Sequence, residues 1–481
     1  MSGNTSSPRL SPSPRLSSRH RRQTGLALLA AVALTGTLTA CDSAAAEQPT
    51  VSAKAAATGS AASQQDGKDR RDGQDRRDGQ DRQDGQDGRD RQDQRDQLAA
   101  LAQQVVDAGA PGTIVRVDDG NGKPIEITRQ APWTKADRTL AASDEFRMGS
   151  NTKTMVATVV LQLVAEDRLK LSDPVDEWLP GLIPNGDAIT VRMLLNHTSG
   201  LFNYTFDPEV LKAFTGQDNR AWTPQELIGA GVRHDPMFAP GTDYSYSNTN
   251  YIALGLIAEK VTGDALDDLV QQRIAGPLHL KNTYLVTGNG ADTDTDAPES
   301  PALAHGYEPD ADHIVPLLPP GMPAGTAFAG PARSAGYVDT TWINASTTWA
   351  AGGMVSTAQD WARFDTALMS GKLLPPALLK EMRTTRAEES EFPNRRYGLG
   401  LEKVVTPCGT VWGHNGEVPG YSSENYTDAV GRRTVSVLTN TIFGLASPKP
   451  RAAQQALVNA AVCAMLDKPI PTKPESTPTG S

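Results

Sequence analysis

An apolar run at residues 155–165 constrains the fold of this chain more than any other segment. Most of its residues are non-polar, and a helix that is apolar on nearly all sides belongs in the interior of a domain. The residues around its start, 146–154, predict a short strand, a turn at Gly149 and a helix that begins near Ser150. We therefore expect a strand and a tight turn that lead into a buried helix, which ends near Leu171.

Ser150 and Lys153 lie three residues apart at the start of this predicted helix. Residues at positions i and i+3 share a helix face, so the two side chains should lie side by side. The positive end of the helix dipole favours an ionised serine and, together with burial, disfavours a charged lysine. A lysine that releases its proton readily can serve as a general base. The alternative is an ordinary serine N-cap beside a solvated lysine, because Ser-x-x-Lys spacing also arises by chance.

The first 40 residues predict an export signal. Residues 1–24 contain five arginines and no acidic residue, and residues 25–40 are uncharged and largely apolar. This order is typical of a signal peptide, and the apolar stretch is too short for a membrane span. The segment Leu38-Thr39-Ala40-Cys41 resembles the bacterial lipoprotein signal, which would make Cys41 the lipidated first residue of the mature chain. A simple cleaved signal with an incidental cysteine is the alternative, and the choice between Sec and twin-arginine export stays open.

The cysteine count agrees with export. The chain has three cysteines, and an unpaired cysteine in an exported protein needs a reason. Acylation would account for Cys41, and the remaining Cys408 and Cys463 can pair in an oxidising compartment. We therefore expect a disulfide between Cys408 and Cys463.

Residues 41–97 are predicted to form a disordered tether. From Asp66 to Asp96 every third residue is aspartate, and no hydrophobic residue lies between them. Such a segment buries nothing that could offset the entropy of ordering. Its arginines nearly balance its aspartates, which argues against a nucleic-acid-binding arm. Removal of the five arginines in residues 1–40 takes the net charge from −10 to −15, and an acidic exported chain is not expected to bind nucleic acid.

Residues 98–468 have the composition of a globular domain, and a Pro/Thr/Ser-rich tail at 469–481 is predicted to be disordered. Both ends of the domain predict strands, whereas its middle predicts helices separated by loops. The fold class is therefore α/β (α+β), with an antiparallel sheet that is built from both chain ends and flanked by helices, plus a mostly helical lobe. The predicted elements are a helix at 97–108, a hairpin at 112–117 and 125–129, a helix opened by a capping box at 356–359, strands at 410–414, 422–427 and 433–440, and a closing helix at 451–466.

Two further short motifs carry polar side chains that suit catalysis. Tyr246 and Asn248 lie two residues apart on a loop before a predicted helix, where they can direct a phenol and an amide into one cleft. His414, Asn415 and Gly416 lie on a predicted strand, where alternation places His414 and Gly416 on the same face. Gly416 would allow a ligand to approach the backbone closely. Each motif alone also fits a structural role, as a tyrosine-rich turn or as a buried strand histidine.

Taken in chain order, Ser150-x-x-Lys153, Tyr246-x-Asn248 and His414-x-Gly416 resemble the three active-site motifs of the serine penicillin-recognising enzymes. The chain is most similar to the branch with class C β-lactamases, Streptomyces-type D-alanyl-D-alanine carboxypeptidases and related esterases. The resemblance covers roughly residues 98–466 and implies a β-lactamase/transpeptidase-like fold that needs no metal or cofactor. Further segments similar to that branch are 194–201, 246–251, 351–357, 397–400 and 413–421.

The resemblance implies a role for each motif residue. Ser150 is the acylated nucleophile, and Lys153 and Tyr246 share the proton transfers. His414 sets the electrostatic field around Tyr246. The backbone N–H groups of Ser150 and Glu417 form the oxyanion hole. Substrate binding is implied for Asn248, Asn415, Gly416 and Glu417.

Two departures from the carboxypeptidase pattern concern specificity. Those enzymes carry His-Thr-Gly-Thr, whose hydroxyls contact the substrate carboxylate, whereas this chain has Asn415 and Glu417 at the threonine positions. The family arginine on the preceding strand is missing, which leaves Glu402 and Lys403 in that region. An acid near the carboxylate pocket would oppose a substrate with an anionic C-terminus.

We therefore expect an extracytoplasmic serine hydrolase that acts through an acyl-enzyme on Ser150, similar to a D-alanyl-D-alanine carboxypeptidase. Its expected partners are a peptidoglycan stem peptide or a small amide or ester, β-lactams as covalent ligands, and the cell membrane through a lipid on Cys41. An esterase or β-lactamase on the same fold is one alternative. A non-catalytic penicillin-binding lipoprotein that recognises the cell wall is an alternative of another class.

Overall fold

The computed structural model describes residues 89–287, 300–318, 322–323, 325–390 and 392–471. The expected signal sequence, Cys41 and the tether up to residue 88 lie outside the described residues, as does the tail from residue 472. Among the helices that are described, none is both long enough and apolar enough to cross a membrane.

An eight-stranded antiparallel sheet joins the two ends of the domain, in the order β2-β1-β14-β13-β12-β11-β10-β9. The N-terminal strand β1 pairs with the C-terminal strand β14 from Thr113↔Thr439 to Asp118↔Thr434, which confirms the predicted sheet. Two smaller sheets have the orders β3-β8-β4 and β5-β7-β6. The strands are β1 (Gly112–Asp118), β2 (Ile125–Gln130), β3 (Phe146–Arg147), β4 (Tyr284–Leu285), β5 (Tyr307–Pro309), β6 (Ala332–Arg333), β7 (Tyr337–Asp339), β8 (Met354–Ser356), β9 (Arg386–Ala387), β10 (Arg395–Tyr397), β11 (Glu402–Thr406), β12 (Gly409–Val418), β13 (Tyr421–Thr427) and β14 (Thr434–Thr439).

Helices cover the sheet and are the main regular structure of the chain between β3 and β9. The longest are the first, the second, the seventh, the twelfth and the last. The helices are α1 (89–107), α2 (Thr152–Ala165), α3 (Val175–Trp178), α4 (Val191–Leu195), α5 (Pro208–Phe214), α6 (Pro224–Val232), α7 (Asn248–Thr262), α8 (Leu266–Val270), α9 (Gly276–Leu278), α10 (Ala311–Ile314), α11 (Trp349–Gly352), α12 (Ala358–Met369), α13 (Pro376–Met382) and α14 (Pro448–Met465).

The two faces of the sheet belong to separate hydrophobic clusters. Val115 and Val117 contribute to a cluster with α1 and α14, whereas Ile114 belongs to the larger cluster of the helical lobe. This division follows from the two-residue period of a strand. The helix α2 lies inside the larger cluster, and every residue from Thr152 to Leu161 is buried, as the apolar run predicts.

The helix α1 begins at residue 89, so residues 89–97 are helical rather than disordered as predicted from their composition. Arg91 anchors this part of the chain to the hairpin between β1 and β2. Its guanidinium bonds the Asp119 carboxylate (Nη1–Oδ2 3.0 Å) and the carbonyl oxygens of Asn121 and Lys123. The prediction missed this because the partners of Arg91 lie about thirty residues away in the sequence.

Two predicted helix boundaries are wrong. The helix α2 ends at Ala165 and not near Leu171, because Asp167 adopts a left-handed conformation (φ 55°) and the N–H of Arg168 bonds the carbonyl of Leu163. This arrangement is a Schellman-type ending. The N-cap of α12 is Thr357, whose hydroxyl accepts from the N–H of Asp360, and not a capping box opened at residue 356.

The structure pairs Cys408, in the turn between β11 and β12, with Cys463 on α14, at a Cα–Cα distance of 5.2 Å. The bond ties the strand that carries His414 to the last helix, across 55 residues of sequence. For a closed loop of that length, chain entropy predicts a stabilisation of about 4 kcal/mol.

We expect the double variant Cys408→Ser/Cys463→Ser to lose about 4 kcal/mol of unfolding free energy, because its unfolded chain is less restricted. Urea titration of the oxidised protein and of the variant measures the difference, and wild-type protein in reductant is the matched control. Equal unfolding midpoints for all three samples would contradict the prediction.

Candidate active site

Ser150 lies on a 3₁₀ turn, Gly149–Asn151, between β3 and α2. The turn packs against β12 so closely that a Cβ atom on Gly149 would lie 2.5 Å from the backbone nitrogen of Glu417. Gly149 also has a positive φ of 52°, which favours glycine. Asn151 fixes the turn to β13 through a hydrogen bond from Nδ2 to Ser423 Oγ (2.8 Å). The backbones of Ser150 and Glu417, predicted to supply the oxyanion hole, are thus brought together.

Lys153 is fully buried, and its Nζ lies beside three oxygen atoms from three separate parts of the chain. They are Ser150 Oγ at 3.0 Å, Asn248 Oδ1 at 2.7 Å and the carbonyl of Ala351 at 2.7 Å. Burial lowers the pKa of Lys153 well below its ordinary value, and the nearby Glu402 only partly opposes this effect. A neutral amine at hydrogen-bond distance from a serine hydroxyl is able to take its proton.

Tyr246 lies on the loop before α7, and its ring faces Lys153 with Nζ 4.8 Å from the ring centroid. The hydroxyl is buried beside Ser150, close enough for the serine to lower the phenol's pKa, but it has no hydrogen-bond partner among the described residues. Burial raises the pKa of Tyr246 well above 10, so the phenol is protonated at neutral pH. It is therefore suited to donate a proton to a leaving group.

His197 holds the loop of Tyr246 in place, although the sequence analysis assigned it no role. Its ring lies against the Tyr246 ring at a centroid distance of 4.2 Å, and its Nδ1 accepts from the N–H of Ser247 (3.2 Å). The backbone of Tyr246 also donates to Glu389 Oε1 (3.2 Å). The only sequence signal for His197 was its place in the similar segment 194–201.

Asn248, the first residue of α7, is held in place by hydrogen bonds from both its backbone and its side chain. Its backbone N–H donates to Asn203 Oδ1 (3.2 Å), while its side-chain oxygen accepts from Lys153. Asn248 also lines the cavity beside Ser150. In the structure its oxygen therefore holds the lysine as well as facing the space where a substrate would bind.

His414 lies on β12, but its ring contacts Tyr397 rather than the hydroxyl of Tyr246. Its Nδ1 donates to the carbonyl of Asn415, so Nε2 accepts from the Tyr397 hydroxyl (2.9 Å). Its ring centroid lies 6.3 Å from that of Tyr246. Burial and the nearby Lys153 lower the pKa of His414 to about 3, so the ring is neutral at physiological pH. Any influence of His414 on Tyr246 is that of a neutral ring, which acts through packing and Tyr397.

Gly416 allows the strand β12 to approach the serine turn. A Cβ atom at Gly416 would lie 2.0 Å from the carbonyl oxygen of Met148. This position therefore needs glycine for contact with the protein's own backbone, and Gly416 also lines the cavity in which a ligand was predicted to approach it. The partner strand β11 pairs with β12 only as far as Gly413, so the edge of β12 beyond that residue is open towards the cavity.

The cavity beside Ser150 is open to solvent, spans about 880 Å³ with that solvent included, and has two chemically different ends. One end is apolar and aromatic, with Tyr204, Phe214 and Val418. The other is acidic. Its charged lining residues are Glu388, Glu389, Arg395, Glu402 and Glu417.

Arg395 is a basic residue that the sequence analysis missed at the acidic end. It lies on β10, one strand beyond the expected position, and bonds Glu402 Oε2 (3.3 Å) and Asn415 Oδ1 (3.2 Å). The preceding strand β11 lacks an arginine, as expected, but Arg395 on the next strand places a guanidinium at this end of the cavity. The signal was present in the sequence at residues 395–396, directly before the similar segment 397–400.

Among the described residues, one cluster gathers the ligand atoms of three potential metal-binding side chains within 4.8 Å, and it lies outside this cavity. It consists of Asp137, His305 and Asp339. Arg333 already bonds both aspartates, with distances of 2.8 Å to Asp137 and 2.9 Å to Asp339. The guanidinium therefore fills the place of a cation there.

A family model described as Beta-lactamase matches residues 98–460. The D-stereospecific amidohydrolase from Streptomyces sp. is 33% identical, with a TM-score of 0.64 over 76% of this chain and 98% of that one. The D-amino acid amidase from Ochrobactrum anthropi SV3 is 25% identical, with a TM-score of 0.65 over 77% and 98%. Penicillin-binding protein 4* from Bacillus subtilis is 26% identical over 63% of this chain, which spans 62% of that relative's length.

The contacts of Lys153 predict how catalysis depends on pH. If neutral Lys153 is the base, kcat/KM rises as the pH rises through the pKa of Lys153. The variant Asn248→Asp would place a carboxylate beside Nζ and raise that pKa, so we expect the acidic limb to move to higher pH by about one unit or more. Ester hydrolysis followed from pH 4 to 10 measures the shift.

Asn121→Asp, which adds the same charge on an exposed turn far from the cavity, is the matched control. An acidic limb that stays in place in Asn248→Asp would show that Lys153 is not the titrating base.

Proposed function

The chain belongs to the β-lactamase and penicillin-binding protein family of serine hydrolases, and we propose that it cleaves amides or esters of D-amino acids through an acyl-enzyme on Ser150. The observation that carries this proposal is the contact between Ser150 Oγ and Nζ of the fully buried Lys153, at 3.0 Å. The similar Streptomyces protein is a D-stereospecific amidohydrolase, which supports the D configuration.

Each proton in the proposed acylation has a donor and an acceptor. Lys153 takes the proton of Ser150 while Oγ attacks the carbonyl carbon. The N–H groups of Ser150 and Glu417 stabilise the negative oxygen of the tetrahedral intermediate. The phenol of Tyr246 donates its proton to the leaving nitrogen or oxygen, and Lys153 returns its proton to Tyr246. Water then attacks the ester of Ser150 with the same groups in reverse roles.

Carboxypeptidase action on D-alanyl-D-alanine peptides is a second candidate, and Arg395 is the observation that favours it. A guanidinium is the natural partner of a substrate carboxylate. However, Arg395 is already paired with Glu402, and three further glutamates line the same end of the cavity. A carboxylate-ended substrate would have to compete with Glu402 for Arg395, so we rank amides and esters ahead of carboxylate-ended peptides.

Replacement of the nucleophile tests the proposal directly. We expect Ser150→Ala to form no covalent adduct with a β-lactam or an activated ester, because the attacking oxygen is removed while little packing is lost. Intact-protein mass spectrometry after incubation measures the adduct. Ser245→Ala, on the loop that carries Tyr246, is the matched control and should be acylated like the wild type.

An adduct that persists in Ser150→Ala would remove Ser150 from the role of nucleophile. Absence of any adduct in the wild type, together with reversible penicillin binding, would favour the non-catalytic recognition protein instead.

We also propose that the enzyme is exported and held at the membrane by a lipid on Cys41, on the strength of the Leu38-Thr39-Ala40-Cys41 sequence. In bacteria fed with labelled palmitate, the wild-type protein should take up label and the Cys41→Ser variant should not. Labelling of both proteins, or of neither, would contradict lipidation at this residue.

A further inference from the structure

A second cavity adjoins the cavity beside Ser150 at its apolar end. Four residues line both cavities and therefore form a common wall between them. These residues are Phe214, Thr348, Gly352 and Val418. Tyr246 and Asn248 line only the first cavity, as Ser150 does. The second cavity thus lies on the far side of the wall from the groups proposed to carry out catalysis.

The common wall begins next to the reacting groups. Val418 directly follows Glu417, whose backbone N–H is proposed to form part of the oxyanion hole. Gly352 directly follows Ala351, whose carbonyl oxygen lies 2.7 Å from Lys153 Nζ. A substrate carbonyl in the oxyanion hole therefore lies close to this wall.

The leaving group of the substrate lies away from the second cavity. Tyr246 is proposed to protonate that group, so the two must be within hydrogen-bond reach of each other. Tyr246 lines the first cavity and not the second. The part of the substrate that lies nearest the common wall is then the acyl group, which stays on Ser150 after the first step.

The second cavity suits an uncharged, apolar group. Among the described residues that line it, none is acidic. The apolar side chains that line it alone are those of Val286, Ile343, Ala345 and Pro419. Its arginine, Arg147, donates to the carbonyls of Ile343 (2.8 Å) and Thr341 (2.9 Å), and the Thr348 hydroxyl donates to the carbonyl of Ala345 (2.6 Å). Polar groups that are already bonded within the protein leave mainly apolar contacts for a ligand.

Three of the wall residues pack against one another. A Cβ atom added to Gly352 would lie 3.2 Å from Thr348 Cβ and 3.6 Å from Val418 Cγ1. These are contact distances, so little space remains among the three residues. The rest of the wall is the side chain of Phe214, which is the largest of the four.

The backbone around Phe214 holds its ring at the wall. Phe214 is the last residue of α5 and is half-buried. The hydroxyl of Thr215 donates to the carbonyl of Leu211 (2.9 Å), and the carbonyl of Thr215 accepts from the N–H of Ala329 (2.9 Å). Because these bonds fix the end of the helix, the ring separates the two cavities.

We propose that Phe214 limits the length of the acyl group, and that the second cavity is an apolar subsite which opens to longer acyl groups when this ring is removed. The enzyme with its phenylalanine in place therefore favours short acyl groups. This inference rests on the proposed function, because it concerns the acyl group that Ser150 carries.

The test compares p-nitrophenyl acetate with p-nitrophenyl hexanoate, which share a leaving group and differ only in acyl length. In Phe214→Ala we expect the hexanoate-to-acetate ratio of kcat/KM to rise about tenfold over the wild type, because the added methylenes reach apolar surface. Phe392→Ala removes the same ring from a residue that lines the first cavity alone, and it should keep the wild-type ratio. The rate of Ser150→Ala is subtracted as background.

A second substitution locates the longer chain. Val286→Phe, added to Phe214→Ala, fills the second cavity from its other side and should return the ratio to the wild-type value. Val430→Phe, the same change at a residue 54% exposed in the turn between β13 and β14, is the matched control and should keep the raised ratio. Each ratio is measured within one enzyme preparation, so a partly misfolded variant does not distort it.

An unchanged ratio in Phe214→Ala would overturn the subsite, and so would an equal rise in Phe392→Ala or a rise that survives Val286→Phe. In each of these cases acylation of Ser150 by the acetate ester leaves the proposed function standing. If neither ester acylates Ser150 in the wild type, as measured by mass spectrometry, the proposed function itself fails.

Discussion

The complete burial of Lys153 is the constraint on which the rest of the site depends. Removal of an ammonium group from water costs several kcal/mol, so a buried lysine must be neutral or surrounded by acceptors. Here the acceptors come from the serine turn, from Asn248 at the start of α7 and from Ala351 on α11. Three contacts to one nitrogen atom thus bring the serine turn, α7 and α11 together around Lys153. The same burial that demands these contacts lowers the pKa of the amine, so the neutral amine has a lone pair that can accept a proton.

Two glycines provide the second constraint, because they allow the nucleophile turn and the edge of the sheet to touch. Gly149 and Gly416 face each other across the contact between the turn and β12, and a Cβ atom at either position would overlap backbone atoms. The strand β12 in turn lies in a sheet that contains strands from both ends of the domain, joined by the pairing of β1 with β14. Close packing of the serine turn against β12 therefore brings a nucleophile from the N-terminal half of the domain next to Glu417 in the C-terminal half.

Local patterns predicted much of this architecture, whereas long-range contacts were beyond them. The apolar run predicted the buried helix, and strand patterns predicted the sheet. The predicted closeness of Ser150 and Lys153 followed from helix periodicity alone and agrees with their 3.0 Å contact. Composition wrongly predicted disorder at residues 89–97, since the carbonyl groups that accept hydrogen bonds from Arg91 lie in a turn far away in the sequence. For the same reason, the sequence did not predict that Arg395 lines the cavity or that His414 contacts Tyr397. Both contacts depend on the pairing of β10 with β11 and of β11 with β12.

The groups proposed to carry out catalysis and most of the ionisable groups that could select a substrate lie in different parts of the cavity. At neutral pH burial keeps His414 and the Tyr246 phenol uncharged and lowers the pKa of Lys153, so the groups around Ser150 carry little fixed charge. Most of the carboxyl groups lie instead at the end formed by β10, β11 and the edge of β12, where Arg395 meets four glutamates. Because that end is built from residues 388–417, substitutions there can change which ligands are attracted without moving the serine and lysine on the turn and α2. Glu417 is the exception, since its backbone belongs to the proposed oxyanion hole and the residue also lines the cavity, so a substitution there can affect both chemistry and specificity.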